Sequence, residues 1–432
     1  MTGHDSIRTA RDGTAGSGRS SRVVITGKGF FSPLGNADAD VMAGFRSGFR
    51  SGFRSGFRSG ESLYEPLDFS PEIAAARIGD FDLKQVTGRY KNARYLNRGA
   101  ALVLAAADVA VSDSGLEKED LADAGLFTGA GPNMDIGGEI RNIQDGQIDP
   151  KGMSALWLLR FLPNTAAAMI ADLCGVHGEN LTLSTACATG IQTVGEAFRR
   201  IRTGYLDTAL AGSGDSRLSP GGVMAYRTAG ALCTGPLEPA ERHRPFDRDR
   251  SGFAMGEGAA FFVLESLDHA RARDARILAE ITGFGSSLDG GGMTAPDPSG
   301  KWMERAVRQA LEESGLPPAG VDAVSAHGTG TDLNDAMEAD LLTRVFKDHR
   351  PAVTALKSWI GHTSAACGAV ELALMTVLMD HGVLPGIRNL DHPIDPDLDL
   401  VRKNREQPFG TVLLQNFGFG GQNGALIVKK WR

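Results

Sequence analysis

The stretch Leu181 to Gly190 reads Leu-Thr-Leu-Ser-Thr-Ala-Cys-Ala-Thr-Gly. An apolar, β-branched run stops among small residues at Cys187. The segment that follows, Ile191 to Arg202, carries Ile191, Val194, Ala197, Phe198 and Ile201 at helical spacing. This is a buried strand turning sharply into a helix, and it demands an α/β architecture around it. Cys187 falls at the turn, near the helix start. Free backbone N–H groups and the positive end of the helix dipole there favour a thiolate, and predict a thiol pKa below the usual ~8.5. The small neighbours Ala186, Ala188 and Gly190 leave room for an acyl group to approach the backbone. A free thiol in such a place can equally be an inert core cysteine, so the rest of the chain has to decide.

The same rhythm continues on both sides. Strands are expected at Arg22–Thr26, Ala124–Gly129, Asp207–Ala211, Gly258–Glu265, Ile277–Gly285, Ala323–Ala326, Ala352–Leu356, Val412–Gln415 and Gly424–Val428. Helices are expected at Leu96–Ser114, Thr165–Leu173, Leu267–Arg276, Trp302–Ser314, Asp335–Phe346 and Ala365–Leu378. Gly27-Lys28-Gly29 reads as a turn, and Gly212 to Asp215 as a loop. The order of elements repeats, which predicts an internal duplication: residues 22–270 as a first half with the cysteine, and 271–432 as a second half. The duplication is read from element order, not from repeated residues. Met1 to Ser21, rich in Gly, Ser and Arg, is expected to be a disordered tail. Phe-Arg-Ser-Gly occurs four times in tandem from Phe45 to Gly60. A glycine in every repeat opposes a stable helix, so the stretch reads as an expanded surface loop or helix end, or as a basic, aromatic docking strip.

With 432 residues the chain can bury a large core. A formal net charge of −7 argues against a general nucleic-acid binder. Four cysteines in so long a chain make no disulfide framework and show no zinc-ribbon spacing, which fits a reducing cytoplasm. No apolar run approaches the ~20 residues of a membrane span, and the N-terminus has no signal-peptide core.

Three further glycine-flanked segments each follow an expected strand: Ser325 to Thr331, containing His327; Lys357 to His362; and Asn416 to Asn423. In α/β folds ligand chemistry gathers at the carboxyl ends of strands. One histidine after a strand is commonly structural; two, together with a strand-end cysteine, point to one pocket.

These motifs are Thr-Ala-Cys-Ala-Thr-Gly, His-Gly-Thr-Gly-Thr, Lys-Ser-x-x-Gly-His and Asn-Phe-Gly-Phe-Gly-Gly-x-Asn. The chain resembles the β-ketoacyl-acyl carrier protein synthases of the elongating, Cys-His-His type, from about Arg22 to Trp431. Arg244 to Phe253 and Gly256-Glu257-Gly258 resemble the family as well. The resemblance implies a thiolase-like fold: two duplicated α/β halves in a five-layered α-β-α-β-α core. It implies that Cys187 takes an acyl group as a thioester. His327 and His362 would promote decarboxylation of a malonyl thioester, and the product would be a 3-ketoacyl chain two carbons longer. Main-chain N–H groups of Cys187 and Phe417 would form the oxyanion hole. Phe417 would also gate the acyl pocket, with Phe419 beside it, and Thr329 and Thr331 would hold the pantetheine arm. Lys357 and Glu338 would form a charged pair behind the histidines, with Glu371 joining the network and Asp335 capping or pairing locally.

No metal or organic cofactor is implied, because the phosphopantetheine arrives on the acyl carrier protein. That protein is the implied partner, expected to dock on some of Arg199, Arg200, Arg202, Arg227, Arg242 and Arg244. The family's dimer surface falls near Trp157 to Met169. The third position is His362 rather than the asparagine of priming synthases. The C-terminal glycine-rich segment lacks the second cysteine of thiolases. The sequence leaves open a catalytic subunit paired with a chain-length-factor-like partner, and a non-catalytic scaffold. Gly290-Gly291-Gly292 and Gln422 depart from the common fatty-acid pattern and lean towards a polyketide or polyene pathway.

Overall fold

A computed structural model describes residues 20–47, 63–79, 81–134, 143–144, 147–148 and 155–432. Residues 1–19 of the expected tail and 48–60 of the repeat stretch lie outside the described residues. Phe45 closes the helix Asp38–Ser47, and its ring packs edge-on against Trp359 at 4.9 Å.

The first half runs β1 (Val23–Phe31), α1 (Arg98–Ser114), β2 (Gly125–Ala130), α2 (Thr165–Cys174), β3 (Asn180–Leu183), α3 (Thr189–Arg202), β4 (Thr208–Ser216) and β5 (Met255–Ser266). The second half runs β6 (Ala279–Leu288), α4 (Lys301–Ser314), β7 (Ala323–Ser325), α5 (Asp332–Val345), β8 (Ala352–Thr354), α6 (Cys367–His381), β9 (Thr411–Gly418) and β10 (Gln422–Lys430). The strand order is β3-β2-β4-β5-β1-β6-β10-β9-β7-β8. Counted outward from the centre, both halves therefore have the same order. The pairing sense matches too: β2, β3 and β4 are parallel to one another, as are β7, β8 and β9, while β5 and β10 run antiparallel to their neighbours. Among the described residues, the two sheets are joined where Val23, Val24 and Ile25 pair with Ile281, Glu280 and Ala279.

Helices α1 and α2 cover the outer face of the first sheet, and α4 that of the second, where α5 packs beside it with Leu341, Leu342 and Val345 in one core with Val324, Val353 and Leu413. Between the sheets lie α3 and α6, each touching strands of both halves. This is the expected five-layered arrangement. Helix α6 is buried on every side from Cys367 to Met379, as a helix in the middle layer must be.

The duplication is legible in residues as well as in element order. Ile25-Thr26-Gly27-Lys28-Gly29 on β1 matches Ile281-Thr282-Gly283-Phe284-Gly285 on β6. Ala106, Ala110, Ser114 and Gly115 of α1 match Ala306, Ala310, Ser314 and Gly315 of α4. The match corrects the expected turn at Gly27 to Gly29, because the strand continues through it to Phe31. A Cβ at Gly27 would overlap the Ala110 carbonyl, and one at Gly283 the Ala310 carbonyl. Here glycine serves close approach of a helix rather than a turn. The expected loop from Gly212 is likewise part of β4, since a Cβ there would overlap the Ala260 carbonyl on β5.

Candidate active site

Cys187 lies four residues past the end of β3. Ala186 takes a left-handed conformation (φ 48°), and a 3₁₀ turn from Ala186 to Ala188 leads into α3. The Thr189 hydroxyl accepts the Thr185 N–H at 2.8 Å and donates to the Ala186 carbonyl at 2.7 Å, fixing the turn from inside. Gly190 presses on the backbone of α6 at Gly368 and Ala369. The expected low thiol pKa is corrected: burial pushes Cys187 up to about 11, against the pull of the Arg217 and Lys357 charges and the Phe419 backbone N–H. Desolvation of the thiolate outweighs two nearby cations.

His327 follows β7. Its backbone N–H and that of Gly328 donate to the two oxygens of Glu338 on α5, at 2.6 and 2.8 Å. Gln415 Nε2 adds a third donor at 2.6 Å. His362 follows β8 and the short helix Lys357–Ile360. Its N–H donates to the Ala254 carbonyl at 2.8 Å, which stitches it to the start of β5.

Each imidazole has its Nδ1 facing a donor. The Ser364 N–H donates to His362 Nδ1 at 3.0 Å, and Asn416 Nδ2 to His327 Nδ1 at 3.3 Å. Burial, reinforced by the Lys357 charge, holds both rings well below the usual histidine pKa, so both are neutral. A neutral ring that accepts at Nδ1 carries its proton at Nε2. The rings stand 5.8 Å apart, nearly perpendicular, and ligating atoms of Cys187, His327 and His362 lie within 4.8 Å of one another. Such a set can ligate zinc when the imidazoles present lone pairs. Here the tautomers make them donors, which suits a developing oxyanion.

The expected Lys357–Glu338 pair is corrected. Lys357 Nζ pairs with Glu371 Oε1 at 2.5 Å, both side chains fully buried. Glu371 Oε2 accepts from Asn416 Nδ2 at 2.9 Å, and the same amide reaches His327. The Lys357–Glu371 pair thus orients His327 through Asn416. Glu338 is spent on backbone N–H groups, and burial raises its pKa to about 7. Asp335, also buried, accepts from the N–H groups of Phe246 (2.7 Å) and Gly330 (3.1 Å). It thereby supports the loop that carries Thr329 and Thr331, whose hydroxyls bond each other at 2.9 Å.

The two phenylalanines exchange their expected places. Phe417 is 6% exposed and packs edge-on against His327 at 5.7 Å. Phe419 is 41% exposed at the pocket, and its N–H is the one that reaches the Cys187 thiol. The reason is where the strand ends: Phe417 still belongs to β9 and is buried, whereas Phe419 lies beyond its last residue, Gly418, and is no longer held to the face that a continuing strand would give it. Gly418 between them packs close to the nucleophile's turn: a Cβ there would come within 3.0 Å of the Thr185 carbonyl and 3.1 Å of the Cys187 nitrogen.

Cys187, His327, His362, Thr329, Thr331, Phe417 and Phe419 line one cavity of about 360 Å³. The segment with Gly290-Gly291-Gly292 borders its mouth, tied down by Asp289, which accepts from Asn423 Nδ2 at 2.7 Å and the Asp297 N–H at 2.9 Å.

Residues 20–270 match the Beta-ketoacyl synthase N-terminal domain, and residues 278–391 the Beta-ketoacyl synthase C-terminal domain. The chain belongs to the β-ketoacyl synthase family. It is 35% identical to the 3-oxoacyl-[acyl-carrier-protein] synthase 2 of Coxiella burnetii, over 95% of this chain and 98% of that one. Among solved structures it is similar to the ishigamide ketosynthase/chain length factor (32% identity, TM-score 0.83, 96% of this chain and 100% of that chain). It is also similar to a type II polyketide ketosynthase in complex with its acyl-carrier protein and bound to the hexaketide (26% identity, TM-score 0.81, 95% of this chain and 100% of that chain).

The cavity contains polar residues that sequence reasoning missed. Arg217, Tyr226 and Ser364 line it beside Cys187 and His362. Arg217 follows the carboxyl end of β4, so the rule that selected the other segments would have selected it, had the strand been carried to Ser216. The six expected docking arginines all have partners, such as Glu179 for Arg200, Glu72 for Arg227 and Asp391 for Arg244. Among the described residues no helix is long and apolar enough to cross a membrane.

Proposed function

We propose that this ketosynthase is a β-ketoacyl-acyl carrier protein synthase. It would extend a fatty-acid or polyketide chain by decarboxylative condensation with malonyl-carrier protein. The observation that carries the proposal is the convergence of Cys187, His327 and His362 in one cavity, with both imidazoles presenting Nε2–H. The Cys187 sulfur attacks the acyl thioester. A new thioester forms, and the pantetheine thiol leaves with the proton. Malonyl thioester then enters and loses carbon dioxide. The electron pair left on its α-carbon attacks the acyl carbonyl, a carbon–carbon bond forms, and the Cys187 sulfur is released and reprotonated. His327 and His362 donate to the enolate oxygen, and the N–H groups of Cys187 and Phe419 to the oxyanion at Cys187. Lys357, Glu371 and Glu338 act as positioning residues. Thr329 and Thr331 hold the pantetheine arm, and no cofactor beyond that arm takes part.

The halves 22–270 and 271–432 bring the nucleophile and the histidines, respectively. Leu156, Trp157, Leu158 and Leu162, between 37% and 49% exposed, form part of a dimer surface in this reading. The likeness to a ketosynthase/chain length factor supports a heterodimer as the second reading. The protein would act in the cytoplasm.

Intact-mass spectrometry tests this. The protein alone is incubated with a panel of acyl-carrier proteins, then with malonyl-carrier protein. An adduct that is absent in Cys187→Ala and is cleared as a ketoacyl product two carbons longer is the expected result. No adduct from any donor would count against a self-sufficient enzyme and favour a missing partner subunit or a scaffold.

A further inference from the structure

The wall of the cavity facing Cys187 is polar, and its hydrogen bonds do not close. Arg217 Nε donates to Asp215 Oδ2 at 2.9 Å, and Arg217 Nη1 to the Tyr226 hydroxyl at 2.8 Å. The Tyr226 hydroxyl is in turn 2.8 Å from the Ser364 hydroxyl. All four residues are largely buried, with the Arg217 side chain 12% exposed. Arginine can only donate, so the two hydroxyls share one bond between them while holding two hydrogens. Whichever way that bond runs, one O–H is left without an acceptor among the described residues. Arg217 Nη2 likewise has none there.

A saturated acyl chain laid against this wall would bury these donors unpaired, which is costly. An acyl chain with an oxygen at that place would satisfy them. The charge balance narrows the choice. Asp215 already neutralises Arg217, so the wall offers donors without net positive charge and fits a neutral oxygen rather than a carboxylate. Ser364 lies two residues from His362 and its N–H bonds that ring, and Arg217, Tyr226 and Ser364 line the same cavity as Cys187 and His362. The oxygen must therefore sit on the carbons next to the thioester.

We infer that the Arg217–Tyr226–Ser364 wall is a specificity element. It selects acyl groups that carry a carbonyl or hydroxyl oxygen close to the thioester over saturated chains of equal length. This rests on the acyl-transfer reading of Cys187. Step for step the transfer is the one given above: thioester for thioester, with the proton leaving on the pantetheine thiol.

The test compares acylation of Cys187 by acetoacetyl- and butyryl-carrier protein, which differ by one carbonyl oxygen, followed by intact mass over time. The expected result is at least ~10-fold faster acylation by acetoacetyl, the ratio that follows from leaving one buried donor unsatisfied against the saturated chain. Tyr226→Phe, which keeps the ring against Phe253, should bring the ratio towards one. So should the paired change Asp215→Asn/Arg217→Met, which leaves no buried charge alone. Equal or faster acylation by butyryl, or a ratio unmoved in both variants, overturns the inference while leaving acyl transfer standing. If neither donor acylates Cys187, nor any other in the wider panel, the acyl-transfer reading falls and the inference with it.

Discussion

Thr185 to Gly190 in the first half and Thr363 to Gly368 in the second are the same turn, used differently. Each follows the third strand of its half. Each has a left-handed non-glycine residue (Ala186 at φ 48°, Ser364 at φ 55°), a 3₁₀ turn, and a middle-layer helix starting at Thr189 or Cys367. Their glycines interlock: a Cβ at Gly190 would strike the backbone of Gly368 and Ala369, and one at Gly368 that of Ile191. The place of Cys187 is taken in the second turn by Ala365, whose N–H donates to Asp215 at 3.2 Å. One copy presents a thiol to the cavity; the other builds the opposite wall. The short helix Lys357–Ile360, inserted before the second turn only, brings His362 into the cavity beside the thiol and buries Lys357 behind it against Glu371. Duplication supplied two equivalent backbone turns, and a few side chains made one a nucleophile's seat and the other its frame.

The comparison can be broken in several ways. Cys187→Ala makes the first turn resemble the second, and condensation should fall by ~1,000-fold or more while the fold is kept; turnover and far-UV circular dichroism read the two separately. Lys357→Met removes a cation that only the second half supplies and leaves Glu371 buried and unpaired. It should cost about 3–5 kcal/mol in urea unfolding, and the double change Lys357→Met/Glu371→Gln distinctly less. Gly190→Ala and Gly368→Ala should each cost about 1–3 kcal/mol. Similar losses are expected from a shared interlock; a loss confined to one glycine would show that only one helix depends on it.

The pH dependence sharpens the same contrast. The thiolate is the reactive form, and burial raises the Cys187 pKa to about 11. Alkylation of Cys187 by iodoacetamide should therefore climb about tenfold per pH unit between pH 7 and 9. A plateau in that window would mean that the helix start, not burial, sets the thiol. The smallest effect is expected from Cys187→Ala/Ala365→Cys. Ala365 is fully buried, so moving the thiol to the second turn should restore neither acylation nor alkylation.

Much of the fold was legible because the strand-to-helix rhythm is strongly periodic. What misled was glycine. Gly27, Gly29 and Gly212 read as punctuation, yet, like Gly283 and Gly285, they sit inside strands where a helix or a neighbouring strand lies against the backbone. The repeated Ile-Thr-Gly-x-Gly was present in the sequence, but its meaning depends on the helix packed over it. At the site, the motif residues Cys187, His327 and His362 do come together. The ion pair was assigned to the wrong carboxylate because Glu338 and Glu371 both lie on helices near Lys357. Which of them it meets depends on how α5 and α6 pack.

The sequence by itself determined the α/β layering, the halves' common element order and the four strand-end segments, because these depend on local periodicity and on residue types at turns. Only the tertiary structure decided that Lys357 faces Glu371, that Phe419 rather than Phe417 reaches the thiol, that burial raises the Cys187 pKa, and that Arg217, Tyr226 and Ser364 form one wall. Each of those depends on distances between segments far apart in the chain, and on how much water the packing excludes.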